Sequence, residues 1–249
     1  MRPIVLPLTL VLLAITGLAA AQTPPPLPVW DTQVGASFVG TSGNSETSSA
    51  GADFSLHRRW PVWQVESAAT AVRTSDHGIG TAERYLGSIR GQRKLEGIVA
   101  LSTGWRAERD KFAGINFRSV LDAGLSWALV RQPRWILDGL TAVAWNHERP
   151  TVGVSVNDPI GVFQAVSRVP FGTAGDTTQR YTFYPNFHRS SAYRSEAELS
   201  AQAAMNSHLA LKLGYLFRRS NEPVAGFKKT DNTTTASVVL RWRAAATVP

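Results

Sequence analysis

Apolar and polar residues alternate with a period of two along segment after segment of this chain, and the segments are long. Over 192–205, Tyr193, Ala197, Leu199, Ala201, Ala203 and Met205 fall on one side, with Arg194, Glu196, Glu198, Ser200 and Gln202 opposite. The stretch 209–218 sets Leu209, Leu211, Leu213, Tyr215 and Phe217 against Lys212, Gly214 and Arg218. Over 117–129, Leu121, Ala123, Leu125, Trp127 and Leu129 oppose Arg118, Asp122, Gly124 and Ser126. A period of two is the mark of a strand with two unlike faces. Twelve such segments are legible, at about 30–40, 46–58, 62–73, 84–94, 98–108, 117–129, 134–146, 160–169, 179–188, 192–205, 208–219 and 231–243. Most exceed the roughly 5–6 residues of strands in soluble sheets and match the roughly 9–11 that cross a bilayer at a tilt. The expected fold is all-β: a single up-and-down antiparallel transmembrane β-barrel of about twelve strands spanning 30–243.

Connection lengths and tryptophans point the same way. The segments 58–61, 95–97, 130–133 and 206–207 are tight, whereas 73–83, 110–116, 147–159 and 221–229 are mostly longer. Short turns on one rim and long loops on the other are the outer-membrane pattern, with the short turns periplasmic. Two connections break it: 169–178 is long where a short one is due, and 189–191 is short where a long one is due. All eight tryptophans lie near strand ends. Trp30, Trp60, Trp63, Trp127, Trp135 and Trp242 map to the short-turn rim, and Trp105 and Trp145 to the long-loop rim. Indole favours the membrane interface, so two girdles are expected. A soluble sandwich would place such rings in mid-strand, and a soluble lipocalin-like barrel would turn its apolar face inward. Alternation alone does not say which face is inside; segment length and the girdles favour apolar outside. In hydrocarbon only closure satisfies every backbone N–H and C=O.

The N-terminus sets the compartment. Arg2 precedes a nearly unbroken apolar run over 4–18, and Ala19-Ala20-Ala21 supply a small-residue cleavage site before Gln22. That order predicts a cleaved signal peptide over 1–21, and Pro7 and Gly17 argue against a long anchor helix. A proline-rich linker follows over 22–29, and 244–249 is read as a tail. The chain has no Cys, which excludes a lipidated N-terminus, disulfides and thiolate chemistry. Its formal charge is +8, and it stays strongly basic once the leader with its single Arg2 is gone. An exported chain rarely meets nucleic acid, so anionic headgroups and surface polysaccharide phosphates are the expected partners, unless the charge is simply a solvated basic surface.

Three stretches resemble the salt-induced outer-membrane protein family (YdiY-like), a domain of unknown function. GASFVGTSGNSETSSAGADFSL (35–56) is similar to that family's N-terminal glycine–asparagine hairpin. ERDKFAGINFRSVLDAGLSW (108–127) resembles its acidic-aromatic loop leading into a glycine-spaced strand. GYLFRRSNEPVAGFKKTDNTTTASVVLRW (214–242) resembles its strand, Pro, Gly, Lys-Thr-Asp, strand ending. The resemblance implies an envelope barrel inserted by the barrel-assembly machinery, with no established activity and no catalytic residue to carry over. This chain departs from the family over about 147–176. It also departs in its ending, where Trp242 is followed by seven residues rather than forming a terminal aromatic.

Candidate chemistry is sparse. The residues expected to face the lumen with charge are Arg84, Arg90, Arg106, Arg118, Asp122, Arg194, Glu196, Glu198, Lys212 and Arg218, with Asp53, Glu66 and Asp138. They read either as a polar channel for small anionic or zwitterionic solutes, or as a self-paired network filling the barrel, because buried charges must be paired. A barrel of about twelve strands lies between the filled eight and the open sixteen, and the narrow or occluded form is expected. The long-loop rim carries Arg73, Arg109, Lys111, Arg149, Arg189, Arg219, Lys228 and Lys229, placed to meet lipopolysaccharide phosphate; Arg109, Lys111, Arg219, Lys228 and Lys229 are the chosen set. The short-turn rim is basic as well. His147-Glu148 with Ser155 or Ser191 is the one arrangement that could serve a rim hydrolase, and no spacing motif supports it. Neither metal ligands nor a cofactor motif is apparent, and Asp110, Asp176 and Asp231 read as turn residues. The expectation is a non-enzymatic outer-membrane barrel, an envelope or stress-related structural protein or a narrow solute channel. The alternatives are a rim hydrolase and a soluble periplasmic ligand-binding barrel.

Overall fold

The computed structural model describes residues 29–40, 47–77, 79–172 and 174–244. The expected leader, most of the linker and the last five residues of the tail lie outside the described residues, as does the Gly43-Asn44 turn. Twelve strands follow in order: β1 (Trp30–Gly40), β2 (Thr47–Arg59), β3 (Trp63–Asp76), β4 (Ile79–Lys94), β5 (Val99–Asp110), β6 (Ile115–Gln132), β7 (Trp135–Pro150), β8 (Val156–Phe171), β9 (Gly175–Tyr184), β10 (Arg194–Ala204), β11 (Leu209–Ser220) and β12 (Thr230–Ala244). Each pairs antiparallel with its neighbours in sequence, and β1 closes on β12 from Trp30↔Ala244 to Ala36↔Val238. The result is a closed twelve-stranded barrel, with every strand edge used. Among the described residues the one helical segment is a single 3₁₀ turn, Lys111–Ala113. None of the described helices is long and apolar enough to cross a membrane.

The rim carrying the connections 41–46, 77–78, 111–114, 151–155, 185–193 and 221–229 is called the loop rim here, and the opposite one the turn rim. Both irregular connections expected from the sequence disappear. β8 runs on to Phe171 and β9 starts at Gly175, so that connection is a tight turn, and the β9–β10 connection is the long one. The cause of the misreading is β8 itself, which is apolar on both faces: Ile160, Val162 and Val166 point inward and Phe163 and Ala165 outward, so no period of two marks its ends. Two expected long loops are short instead. β3 runs to Asp76 and β4 starts at Ile79, with His77, whose φ of 49° is left-handed, in the turn between them, and the β5–β6 connection is only the 3₁₀ turn and Gly114. Register shifts cluster at the loop ends of β5–β7, between Glu108 and Asp110 and between Ile115 and Phe117. Bulges at a barrel rim re-aim side chains, and here Ile115 turns inward and is buried.

The register fixes the faces. Leu121, Leu125, Val143, Leu199, Leu211, Leu213, Val238 and Leu240 all point outward and are exposed, on strands around the circumference. Polar and charged side chains point inward, the reverse of a soluble lipocalin-like barrel. Such a continuous apolar belt far exceeds the patches that soluble monomers expose. One stretch of inner wall departs from the expected polar lining: Val120, Leu140, Ala142, Ala144, Ile160 and Val162 pack with Tyr184 into a buried cluster on β6–β9.

Candidate functional site

The alternation that puts leucines outside places charged side chains in the lumen, and near the loop rim they converge on Glu108. Its carboxylate is 2 % exposed and meets four guanidinium groups. Arg84 donates from Nε at 3.0 Å and Arg218 from Nη1 at 3.0 Å, while Arg118 Nη1 lies at 3.5 Å and Arg106 Nη2 at 3.7 Å. Arg106 also forks onto Glu196, donating to both carboxylate oxygens at 2.9 Å, and its Nη1 donates to the Tyr184 hydroxyl at 3.0 Å. Arg118 Nε donates to Glu148 at 2.8 Å. Arg218 Nη2 donates to Asp110 at 2.7 Å and lies 3.9 Å from Asp231. Arg194 stacks over the Tyr184 ring at 5.1 Å and donates to Asn146 at 3.2 Å. Five arginines thus face five carboxylates, and the cluster is formally neutral. That balance is what allows it to be buried, since an unmatched charge out of water is expensive.

Several of these bonds cross the lumen. β5 and β11, which carry Glu108 and Arg218, stand six strands apart in a ring of twelve, and β5 and β10, joined through Arg106 and Glu196, stand five apart. A circular barrel with strands about 4.8 Å apart and tilted by about 40° would be roughly 24 Å across. An arginine and a glutamate end to end fall well short of that. The barrel is therefore flattened at this level, with opposite walls drawn together by their own side chains. A void bounded by Arg106, Glu108, Arg118, Val120, Tyr184, Arg194 and Glu196 is about 10 Å³, the room of one water.

Above the cluster the mouth is roofed. The β11–β12 connection reaches across the mouth to the far side of the same loop rim, where Val224 and Phe227 sit against Gly114; a Cβ at Gly114 would lie 2.8 Å from each. Gly114 has a φ of 79°, and its turn is set by Asp110, whose carboxylate accepts a hydrogen bond from the Ala113 N–H at 3.0 Å. Asp110 thus shapes the turn and anchors Arg218 at once. A cavity of about 50 Å³ lies between roof and cluster, lined by Arg118, Glu148, Arg194, Glu196, Arg218 and Lys228 among others.

Of the expected lumen charges, Arg84, Arg106, Arg118, Arg194, Glu196 and Arg218 enter the cluster. Arg90 and Asp122 form a separate bidentate pair at 2.8 and 2.7 Å over Gly104. Glu198 and Lys212 point inward but lie nearer the turn rim, outside the cluster. There Glu198 and Arg180 are 40 % and 44 % exposed and 3.9 Å apart. Sequence reasoning missed the hub Glu108 itself, Asp110, Asp231 and Glu148, which looked like rim or turn residues, and Tyr184. The signal for Glu148 is its parity with Ala142 and Ala144 on the inner face of β7. His147 points outward and its ring nitrogen pairs with Asn157 at 2.8 Å; among the described residues no serine hydroxyl is its partner. Nor do the described residues hold a group of three His, Cys, Asp or Glu placed to bind a metal ion. Of the chosen rim residues, Arg109, Lys111, Arg219, Lys228 and Lys229 are all exposed at the loop rim, Lys228 and Lys229 on the loop that spans the mouth. Trp63, Trp105, Trp135, Trp145 and Trp242 face outward and are exposed, with Trp127 half-buried.

The family model described as "protein of unknown function, DUF481" matches residues 34–242, almost the whole barrel. The chain belongs to the DUF481 family. No curated protein matches this DUF481 chain. Among solved structures it is similar to the NanC porin, with 12% identity, 85% of this chain and 97% of that one covered, and a TM-score of 0.48. An outer membrane channel from Pseudomonas putida F1 shares 9% identity over 88% of this chain and 96% of its own, with a TM-score of 0.49. An anion-selective porin from Comamonas acidovorans shares 12% over 86% and 98%, with a TM-score of 0.41. The strand ladder, not these likenesses, establishes the fold of the DUF481 chain.

Proposed function

We propose that this DUF481 protein is a non-enzymatic β-barrel of the bacterial outer membrane whose lumen is held shut by its own side chains, serving the envelope as a structural, stress-related component. The observation that carries this reading is the set of ion pairs joining opposite walls, above all Glu108 to Arg218 and Arg106 to Glu196. The leucine belt and the outward tryptophans support membrane insertion, since a closed barrel satisfies every ladder hydrogen bond in hydrocarbon. The resemblance to salt-induced outer-membrane proteins favours the stress-related role. Two measurements test the reading. Cell fractionation with heat-modifiable gel mobility is expected to place the chain in the outer membrane as a closed barrel. In planar bilayers the wild type is expected to show no steady open-pore conductance, and the E108A/R218A variant to show discrete openings. Steady conductance by the wild type would overturn the closed-lumen reading.

A narrow channel is the second reading, favoured by one observation: the inward Arg180 and Glu198 near the turn rim are water-exposed, so the lumen is open on that side. Small, discrete openings of the wild type above a threshold voltage, in place of silence at every voltage, would support it.

A further inference from the structure

The outer face of β5–β7 changes character in three successive rows toward the loop rim. Trp105, Leu121 and Trp145 stand side by side in the first. Ala107, Ser119, His147 and Asn157 form the second, where Trp105 Nε1 donates to Ser119 at 3.0 Å and His147 pairs with Asn157. The third holds Arg109, Phe117 and Arg149, with the Arg149 guanidinium 5.2 Å over the Phe117 ring and Lys111 in the turn just beyond. Apolar, hydrogen-bonding and cationic rows in that order match hydrocarbon, interface and headgroup.

Arg109, Arg149 and Lys111 are exposed, and among the described residues none of them forms an ion pair. The outward rows of β5–β7 contain no acidic residue that could neutralise them. The turn rim is different. Arg58 lies 5.2 Å from both the Trp30 and Trp60 rings, Arg93 lies 5.7 Å over Trp63, Arg131 is paired with Asp138, and Arg243 donates to Asp31 at 3.0 Å. Arg134 and Lys94 have no such contact, but neither shares an outward cluster of this kind. At the turn rim Arg131 and Arg243 are neutralised by acidic partners, whereas on the outward face of β5–β7 no carboxylate pairs with Arg109, Arg149 or Lys111, which stand together above an aromatic row.

We infer that the outward face of β5–β7 at the loop rim is a binding site for a phosphorylated glycolipid of the outer leaflet, with Arg109, Arg149 and Lys111 taking its phosphates by charge-assisted bonds and Trp105 and Trp145 flanking its acyl chains. This rests on the outer-membrane reading above. The test uses the full chain in phosphatidylethanolamine nanodiscs containing either diphosphorylated lipid A or phosphatidylglycerol at equal charge, with lipid retained after detergent release counted by native mass spectrometry. The wild type is expected to retain lipid A preferentially. R109Q/R149Q should lower that retention about ten-fold, the equivalent of about 1.4 kcal/mol, while R93Q at the turn rim leaves it unchanged. Heat-modifiable mobility of R109Q/R149Q checks that the barrel still forms, and a second variant, K111Q, should give a smaller loss. Equal retention by R109Q/R149Q and wild type, or equal retention of phosphatidylglycerol, overturns the site while leaving the outer-membrane reading intact. Recovery of the wild-type chain from the soluble fraction of cells overturns both.

Discussion

The two halves of the lumen carry similar residues and treat them oppositely. Near the loop rim, Glu108, Arg118, Arg84 and Arg218 are nearly excluded from water, at 2 %, 11 %, 12 % and 13 % exposure, and every carboxylate has a guanidinium. Near the turn rim, Arg180 and Glu198 remain wet and barely touch. Charge composition therefore does not decide whether a barrel interior is a plug or a vestibule. Matching does: once the partners balance and geometry allows forked bonds, opposite walls can close on them; where they do not, water stays and screens what pairs remain.

The largest effect should come from removing the hub. E108A leaves four guanidinium groups around a vacancy and should destabilise the barrel by on the order of 3–5 kcal/mol, read as a lower urea midpoint in detergent and a lower temperature for the gel-mobility shift. A loss no larger than that of E198A would erase the contrast between the halves. Next, a double-mutant cycle on R106L and E196L should give a coupling of about 1–3 kcal/mol, with the double variant more stable than either single one, because two leucines leave no charge unpaired. Additive losses would show that this pair does not bridge the walls. G114V should cost about 1–2 kcal/mol from its left-handed backbone. It should also push Val224 and Phe227 away, so that trypsin cleaves after Lys228 and Lys229 faster in nanodiscs; unchanged cleavage would mean that the loop is not seated on that turn. The smallest effect is expected of R180A, at less than about 0.5 kcal/mol, because its pair is long and solvated. A larger loss would mean that the turn-side half is also held together by charge.

Much of this was legible from alternation. The parity of Arg118 with Asp122, or of Lys212 with Arg218, assigns inside and outside strand by strand, and the twelve strands follow from it. β8 was the exception, since a strand apolar on both faces has no period to read. Six of the cluster's charges were identifiable one by one, but the hub Glu108 and the pairing were not. That Arg218 meets Glu108 depends on how far the barrel flattens, a property of the closed ring that no local pattern encodes. Asp110 and Glu148 were hidden because strands β5 and β7 continue past the points where hydrophobic periodicity fades.

Glu108 and Arg218 are 110 residues apart, and Arg106 and Glu196 are 90 apart. Neither bond exists until β10 and β11 have joined the sheet. A growing barrel must therefore hold Glu108, Arg84, Arg106 and Arg118 hydrated while later strands are added, and contacts so distant in sequence are slow to form. The interior then dries only as the β1–β12 seam is about to seal. The ionic cluster thus reports on completeness: a chain stalled short of its last strands keeps an open, wet and charged interior, and only the finished ring can shut it.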